Sequence, residues 1–424
     1  MDDRETGTAA LSTPWVRSCY VCYFGLLEPL VQTQVLPYLR LLTSGGAAFH
    51  LVTFEPQSPA DWSEESESSW RTQLAAESIE WSWLRYHKRP SLPATLYDIA
   101  AGSRHVAALV RRHRIDIVHG RAHVGAAIGA LVKKRTGARL IFDIRGFNPE
   151  EYVDAGNWSP SGLKYRLTKR AERSIIASAD GFVILTERAK SILFPNKDEL
   201  DVRGRPIEVI PCCVDADRFV AASAGPDQVR QQLGLEGRKV IVYIGALGGT
   251  YLSRELAKFF AVAIRRDSQT FAMILTQSDA TLIKGLLFAA GVRDSDVMIK
   301  RVSPAEIPSY LSAADLAVSF IKPSYSKIAS SPTKIPEYLM AGLPVISNSG
   351  VGDCDDVITT DNVGVLIDDL SESGYIEALD RADVLSADPA LSDRCRESVQ
   401  RRFDLTHVGG VKYRRLYERV MSMN

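Results

Sequence analysis

The stretch Ser330–Ile346, SSPTKIPEYLMAGLPVI, holds the side chains best spaced for chemistry. Ser331 suits a helix N-cap, and Pro332 suits the first helical position, where a missing N–H costs nothing. The spacing predicts a helix from Thr333 to about Ala341, closed by Gly342. Such a helix mouth presents unbonded N–H groups and partial positive charge, which together suit a phosphate. Lys334 falls in the first turn, where a cation opposes the helix dipole, so its charge makes better sense facing an anion. Glu337 lies one turn from Thr333 and Lys334, on the same face. A carboxylate there can accept both hydroxyls of a ribose while the ammonium meets a diphosphate. Taken alone, the same residues also describe a Lys–Glu surface pair beside an ordinary cap.

Several other chemistries are excluded. The sequence has no G-x-x-x-x-G-K-[ST], no G-x-G-x-x-G after the first predicted strand, no H-E-x-x-H and no G-x-S-x-G. Gly350 and Gly352 follow a predicted strand but lack the third glycine of a dinucleotide site. The 6 cysteines are too few for a disulfide scaffold. Cys19 and Cys22 have C-x-x-C spacing, yet no second pair completes a zinc site, and CYVCYFG reads as a buried strand with inert thiols. Neighbouring Cys212 and Cys213 cannot bridge each other without strain.

The elements that must position these residues alternate in type. Apolar, β-branched runs recur first as SCYVCYFG, AFHLVTF, IDIVHG, ARLIFDIRG, DGFVILTE and PIEVIP. They recur again as KVIVYIGALGG, TFAMILT, DVMIK, DLAVSF, LPVISNSG and NVGVLID. Helical stretches such as Pro93–His113 and Lys164–Ala179 lie between them. Runs that are apolar throughout suit strands buried on both faces of a parallel sheet. Two such blocks imply an α/β chain with two doubly wound domains. The expected division is a mobile tail 1–14, an N-terminal domain 15–211, a linker 212–236, a C-terminal domain 237–395 and a final helical segment 396–424. Tyr413, Leu416, Tyr417 and Val420 share one face of that last segment. Ligands of open parallel sheets bind outside the carboxyl ends of the strands, so the chemistry belongs in the cleft between the domains.

Composition narrows the partners. With 424 residues, 46% hydrophobic and 24% charged, the chain can bury sizeable cores and is not disordered. Lys plus Arg and Asp plus Glu each number 51, which argues against a general nucleic-acid binder. The longest apolar run, Val124–Val132, is far short of the roughly 20 residues that span a bilayer. The acidic N-terminus lacks the apolar core of a secretory signal, and a reducing cytoplasm fits the cysteines. Arg85–Arg139 is strongly basic, opposed only by Asp98 and Asp116. Such a run suits an anionic membrane surface or a lipid diphosphate, or else a solvated basic face. The tail from Arg394 to Arg419 is basic as well. The expected location is cytoplasmic, peripheral on the inner face of the cell membrane.

DIVHGRAH, FDIRGFNPEEYVDAG, ADGFVILTE, IEVIPCCVDADRF, VYIGALGG, YLSAADLAVSF and SPTKIPEYLMAGLPVI occur in an order and spacing that resembles a known family. They are similar to the retaining glycosyltransferases of the group 1 type (glycosyltransferase family 4), which have the GT-B fold. The resemblance runs from about Val16 to Arg419, and FDIRGF and IGALGG particularly resemble members that build bacterial surface polysaccharides. It implies a C-terminal domain that binds a nucleotide-sugar donor, an N-terminal domain that binds the acceptor, and a final helix that crosses back to the N-terminal domain.

The implied roles fall on particular residues. The family's ribose-binding glutamate, the second of an E-x7-E pattern, corresponds to Glu337, and the first would fall on Ala329 and is lost. Many relatives of the S-P-x-K type share that loss, with Lys334 taking over part of the donor contact. Ser330, Ser331 and Thr333 join the donor side. The loop Gly245, Gly248, Gly249 lacks the family's usual arginine, and its glycines let backbone approach the donor closely, with Arg254 as a source of charge. His119 takes the place of a catalytic or sugar-contacting histidine, with Arg121 and His123 beside it for the acceptor. Arg145, with Asp143 on the same side of its strand, would stabilise the leaving diphosphate. Glu150, Glu151 and Asp154 would meet sugar hydroxyls, and Glu187 would face the cleft. A strand-end histidine satisfied by its neighbours, a structural Asp–Arg pair and a solvated acidic loop describe the same positions equally well.

The chemistry implied is front-face transfer with retention. A nucleoside-diphosphate sugar is the co-substrate, a glycan or lipid-linked molecule is the acceptor, and no cofactor or metal is expected. Lys334, Arg145 and the helix mouth would supply positive charge to the departing phosphate. Two other functions stay open: a non-catalytic nucleotide-sugar-binding subunit, and another GT-B enzyme such as a sugar-nucleotide 2-epimerase.

Overall fold

The apolar runs become two all-parallel sheets. In the computed structural model, which describes residues 14–56, 64–195, 199–221 and 225–423, each sheet is flanked by helices. The expected mobile tail lies, apart from residue 14, outside the described residues. The N-terminal sheet contains β1 (Arg17–Cys22), β2 (Ala48–Glu55), β3 (Ile79–Arg85), β4 (Ile117–Arg121), β5 (Arg139–Ile144), β6 (Gly181–Ile184) and β7 (Ile207–Val209). Its spatial order is β3-β2-β1-β4-β5-β6-β7. The C-terminal sheet contains β8 (Lys239–Ile244), β9 (Thr270–Leu275), β10 (Val297–Lys300), β11 (Leu316–Ser319), β12 (Val345–Asn348) and β13 (Gly364–Ile367), in the order β10-β9-β8-β11-β12-β13. Each order reverses direction once, at β1/β4 and at β8/β11, which opens a crevice at the carboxyl ends of the strands there.

Strand β3 is the one element that the apolar runs do not announce. Its sequence, IEWSWLR, mixes polar with apolar residues because it is an outer strand with a half-exposed face. The segment 212–236, expected as a linker, carries the helices Asp217–Ala221 and Pro226–Leu233. Val214, Val229 and Leu235 within it pack into the C-terminal core.

The end of the chain serves both domains. The helix Leu391–Arg402 places Cys395 and Val399 in the C-terminal core. The chain then turns through Phe403–Gly410, and the helix Val411–Ser422 lays Tyr413, Leu416, Tyr417 and Val420 against β1 residues of the N-terminal core. The crossing therefore begins after Arg402, later than the start expected at residue 396. Arg139 ties the helix down by donating to the carbonyls of Val420, Met421 and Met423. Leu416 is fully buried, so Leu416→Ala is expected to cost about 2–5 kcal/mol, read as a lower midpoint in a denaturant titration.

All 6 cysteines are free and buried. Burial pushes the Cys213, Cys354 and Cys395 thiols up to about 12 and the Cys22 thiol up to about 11. Thiols held this high are protonated and unreactive at neutral pH.

Candidate functional site

Lys334 differs from its expected setting in a way that strengthens its case. The helix Lys334–Met340 starts one residue later than Thr333, and Thr333 stands at the N-cap without a side-chain cap. Ser331 is not the cap. Its Oγ accepts the amide N–H of Cys212 at 3.0 Å, which ties the turn ahead of the helix to the segment between the domains. Gly342 closes the helix as expected, with φ of +79° and a bond from Leu343 N–H back to Tyr338.

The Lys334 side chain does not reach solvent. It runs under the glycine loop, with Nζ 4.1 Å from the Tyr243 ring centroid and 4.8 Å from that of Tyr251. These two faces attract the cation but accept no hydrogen bond from it. Nζ is buried without a hydrogen-bond partner among the described residues. Burial alone brings its pKa down to about 7. Gly245, with φ of +131°, makes room for it: a Cβ there would stand 2.9 Å from Nζ. Gly248 and Gly249 also have positive φ, and the loop is fastened by Leu247 N–H to Ser278 Oγ and Gly248 N–H to Ser253 Oγ. Lys334 is therefore a cation stored under backbone that side chains cannot cover.

Glu337 points to a partner that the sequence did not single out. Arg218 donates to its Oε1 at 3.3 Å and also to the carbonyl of Pro304. Burial raises the Glu337 pKa, and Arg218 opposes that shift. The guanidinium thus engages one of the two carboxylate oxygens. Arg254 lies exposed on the helix Ser253–Arg266.

Across the cleft, the stretch expected as an acidic loop is the helix Asn148–Asp154, and its carboxylates divide. Glu151 accepts from Lys327 Nζ at 3.3 Å, and Asp154 accepts the Ser326 N–H at 2.9 Å. Phe147 stacks on Tyr325 with centroids 5.5 Å apart. Thr186 donates to the Ile328 carbonyl at 2.8 Å, and the Glu187 N–H donates to Asp353 at 2.7 Å. These contacts hold the segment 325–331, and with it Ser330, against the N-terminal domain. Glu150 is not part of this edge: Tyr165 and Lys169 hold its Oε1 at 2.9 Å and 3.0 Å.

The histidine and arginine expected at the cleft are instead an internal network. His119 is fully buried: its Nδ1 lies 2.9 Å from Tyr417 Oη, Tyr20 stacks on it at 4.4 Å, and Nε2 is 3.6 Å from Asp143. Its strand continues to Arg121, so the ring is enclosed rather than presented, and burial lowers its pKa. Arg121 is buried on Asp143 at 3.3 Å, and His123 is paired with Glu172 at 2.8 Å. Among the described residues, the polar partners of these three lie within the N-terminal domain and the crossing helix, not on the helix Lys334–Met340, which differs from the cleft-facing placement expected of them. Arg145 sits between the two settings. Its Nη1 is 3.4 Å from Asp143, and its Nη2 donates to Cys212 Sγ at 3.5 Å, next to the amide that binds Ser331.

A cavity of about 210 Å³ at the domain junction is lined by Thr186, Ser331, Asp353, Phe403 and Lys412. Ser330, Pro332, Ile335 and Pro336 line it as well, so it lies between the crossing segment and the outer side of the Ser330–Pro336 stretch, while Lys334 and Glu337 are not in its wall.

The residues overlooked by sequence reasoning are Tyr243, Tyr251 and Arg218. Tyr243 and Tyr251 bracket the glycine loop, and aromatics on both sides of a glycine run are a signal for a caged cation. Arg218 lay in the presumed linker, where no pattern pointed to it.

Two facing parallel-sheet domains with a site at the carboxyl ends of their strands define the GT-B architecture. Residues 31–213 match the glycosyl transferase 4-like domain, and residues 226–402 match the glycosyl transferases group 1 family. The chain, most of which these two domains span, belongs to the group 1 glycosyltransferases. It is 26% identical over 275 residues to a 2-deoxystreptamine glucosyltransferase of Streptomyces kanamyceticus. That match covers 61% of this chain and 66% of the relative, just under two thirds of its length. Among solved structures, a glycosyltransferase from Rickettsia africae superposes with a TM-score of 0.71 at 14% identity, covering 96% of this chain and 99% of the other. Anabaena HepE in complex with UDP and glucose superposes with a TM-score of 0.69 at 13% identity, covering 96% and 100%.

Proposed function

We propose that this protein transfers a sugar from a nucleoside-diphosphate sugar to a glycan or lipid-linked acceptor, with retention, in bacterial polysaccharide or glycoconjugate synthesis. The observation that carries the reading is the buried Lys334 ammonium, unpartnered beneath the Gly245 loop. A buried cation without a hydrogen-bond acceptor is costly, and a diphosphate is a ligand that both supplies acceptors and restores the charge. The complexes of Anabaena HepE with UDP and with UDP-glucose support a uridine donor, and the curated relative supports glucose as the sugar.

In this reading Glu337, steadied by Arg218, accepts the ribose hydroxyls. Lys334 and the glycine-loop amides hold the diphosphate. Charge that develops on the leaving phosphate meets a fixed ammonium in a site shielded from water, which lowers the barrier. The departing phosphate takes the acceptor's proton on the face it leaves. Glu151, beside Lys327, is placed for hydroxyls of the transferred sugar. Arg145 acts indirectly, by fixing Cys212 and through it Ser331. No step calls for a metal or an organic cofactor.

The decisive experiment is calorimetric titration of the full chain with UDP, followed by analysis of products from UDP-glucose. Binding and sugar release together support the transferase. Binding without release favours a non-catalytic subunit, and a changed sugar stereocentre favours an epimerase. Glu337→Gln is expected to weaken UDP binding about 10- to 100-fold, the worth of charge-assisted hydrogen bonds, while dUDP, which lacks one hydroxyl, should lose less from the same change.

The basic run Arg85–Arg139 is reduced by internal pairing: Arg121 is buried on Asp143, Lys133 pairs with Asp180, and Arg139 serves the carbonyls of the crossing helix. Arg104, Arg111, Arg112, Arg114, Lys134 and Arg135 remain exposed, and the proposal extends to an anionic membrane surface as their partner.

A further inference from the structure

A second set of ligating side chains lies outside the cleft. Strand register puts His50 of β2 directly beside Glu80 of β3, under the helix Ser91–His113. His50 Nδ1 is 3.2 Å from Glu80 Oε2, and His113 Nδ1 is 3.4 Å from the same oxygen. One ligand atom from each of the three residues lies within 4.8 Å of the others. Behind them, His50 Nε2 is 2.9 Å from Ser82 Oγ, which is in turn 2.8 Å from His105 Nε2.

We propose that His50, Glu80 and His113 form a divalent-cation site of the zinc type, with solvent completing four-fold coordination. Tetrahedral zinc with bonds of about 2.0–2.1 Å separates its ligand atoms by roughly 3.3–3.5 Å. Two of the three separations already fall at or within 0.1 Å of that range, so an ion needs only a small approach of the two imidazoles to each other. Two imidazoles and a carboxylate are the donor set of open zinc sites, and a soft-to-borderline ion prefers it over calcium or magnesium. The Ser82–His105 chain occupies the far nitrogen of His50 and so orients its ring, the arrangement that outer-sphere partners give to ligating histidines.

The surroundings separate ligation from diffuse attraction. Arg111, Arg112 and Arg114 flank His113 and are exposed, so their field repels a loosely associated cation. An ion retained there is held by direct bonds. Its place also fixes its role. His50 and Glu80 sit toward the amino ends of their strands, at the end of the sheet opposite the cleft, so the ion clamps the outer strand β3 to the end of the helix Ser91–His113. It takes no part in sugar transfer.

The test uses the full chain stripped with a chelator, then titrated with Co²⁺ as a spectroscopic probe and with Zn²⁺ in a thermal melt. The expected result is one equivalent of Co²⁺ with a visible d–d band, and a rise in Tm with Zn²⁺ of about 2–5 °C at a large excess over its Kd. Glu80→Gln and His113→Asn alter side chains that are largely or partly exposed, so both variants should fold, and each should weaken binding at least about tenfold. His105→Gln should weaken it less, because His105 acts only through Ser82. Absence of binding at about 100 μM free Zn²⁺, or binding that both ligand variants leave intact, overturns the proposal.

Discussion

Lys334→Met is expected to abolish most donor turnover, with kcat/KM down by about 10²–10³, while the protein becomes no less stable. The first effect follows from removing fixed charge opposite a departing diphosphate, a loss of the size seen when one preorganised donor is taken from a charged transition state. The second follows from where the ammonium is kept. Met matches the length of the side chain and fills the space between the Tyr243 and Tyr251 rings, so no cavity opens. An unpaired buried charge is replaced by an apolar group, a change that often stabilises. Loss of activity with unchanged or raised Tm is the signature of a residue stored for function, and a fall in Tm would contradict it.

The pH dependence has a definite sign. In the folded chain Lys334 titrates at about 7, and in the unfolded chain near the ordinary lysine value of roughly 10.4. Between those values the unfolded state binds more protons, so this group makes stability rise with pH across the window and contributes no slope below it. The variant should lack that rise, worth roughly 5 kcal/mol across the whole interval. Donor binding has the complementary effect. Above neutral pH the free side chain is mostly neutral, and a diphosphate returns the proton. Titrations of UDP at pH 8 in two buffers of different ionisation enthalpy should show uptake approaching one proton, which Lys334→Met removes.

The second large effect is structural. Asp143 is fully buried and faces Arg121 at 3.3 Å, Arg145 at 3.4 Å, the Tyr20 hydroxyl at 3.3 Å and His119 at 3.6 Å. Burial alone would raise its pKa, but Arg145, His119 and Arg121 outweigh that and hold the carboxyl well below the usual range. Asp143→Asn keeps the shape and removes the charge, leaving two guanidinium groups uncompensated. The expected cost is about 3–5 kcal/mol, measured by chemical denaturation. The sign with pH is the reverse of that for Lys334. A depressed carboxylate stabilises above its unfolded value near 4, and the contribution fades as pH falls through that value toward the folded one. Wild type should lose stability on acidification below about pH 4 more steeply than Asp143→Asn.

The two cases also divide what the sequence revealed from what it withheld. Strands buried on both faces are written as unbroken apolar runs, and twelve of the thirteen strands are readable in that way. β3 escapes because Glu80 and Ser82 interrupt its apolar residues, so IEWSWLR contains no unbroken run. The end of the short helix was legible from Gly342, whose backbone limit is local, but its start was not: Thr333 rather than Ser331 is the N-cap, and Pro332 lies before the helix instead of at its first position. The destination of each side chain was not legible, because it is settled by residues distant in sequence. His119 ends against Tyr417, almost three hundred positions away, and Ser331 receives the amide of Cys212 rather than capping its own helix. The dipole argument drew notice to Lys334, yet the setting of its side chain, between two tyrosine rings, depends on a loop ninety residues earlier. Polar residues at strand ends can serve a ligand or a hidden network with equal plausibility, and local pattern does not choose between them.

The helix Val411–Ser422 supplies Tyr413, Leu416, Tyr417 and Val420 to the N-terminal core, so that domain is completed by residues translated only after the second domain. While the second domain is being synthesised, the surface awaiting that helix stays greasy and open, and Asp143 and His119 lack part of their final enclosure. The chain therefore has no independently finished front half. A nascent product stopped before residue 411 should be a client for chaperones and proteases rather than a free, finished domain.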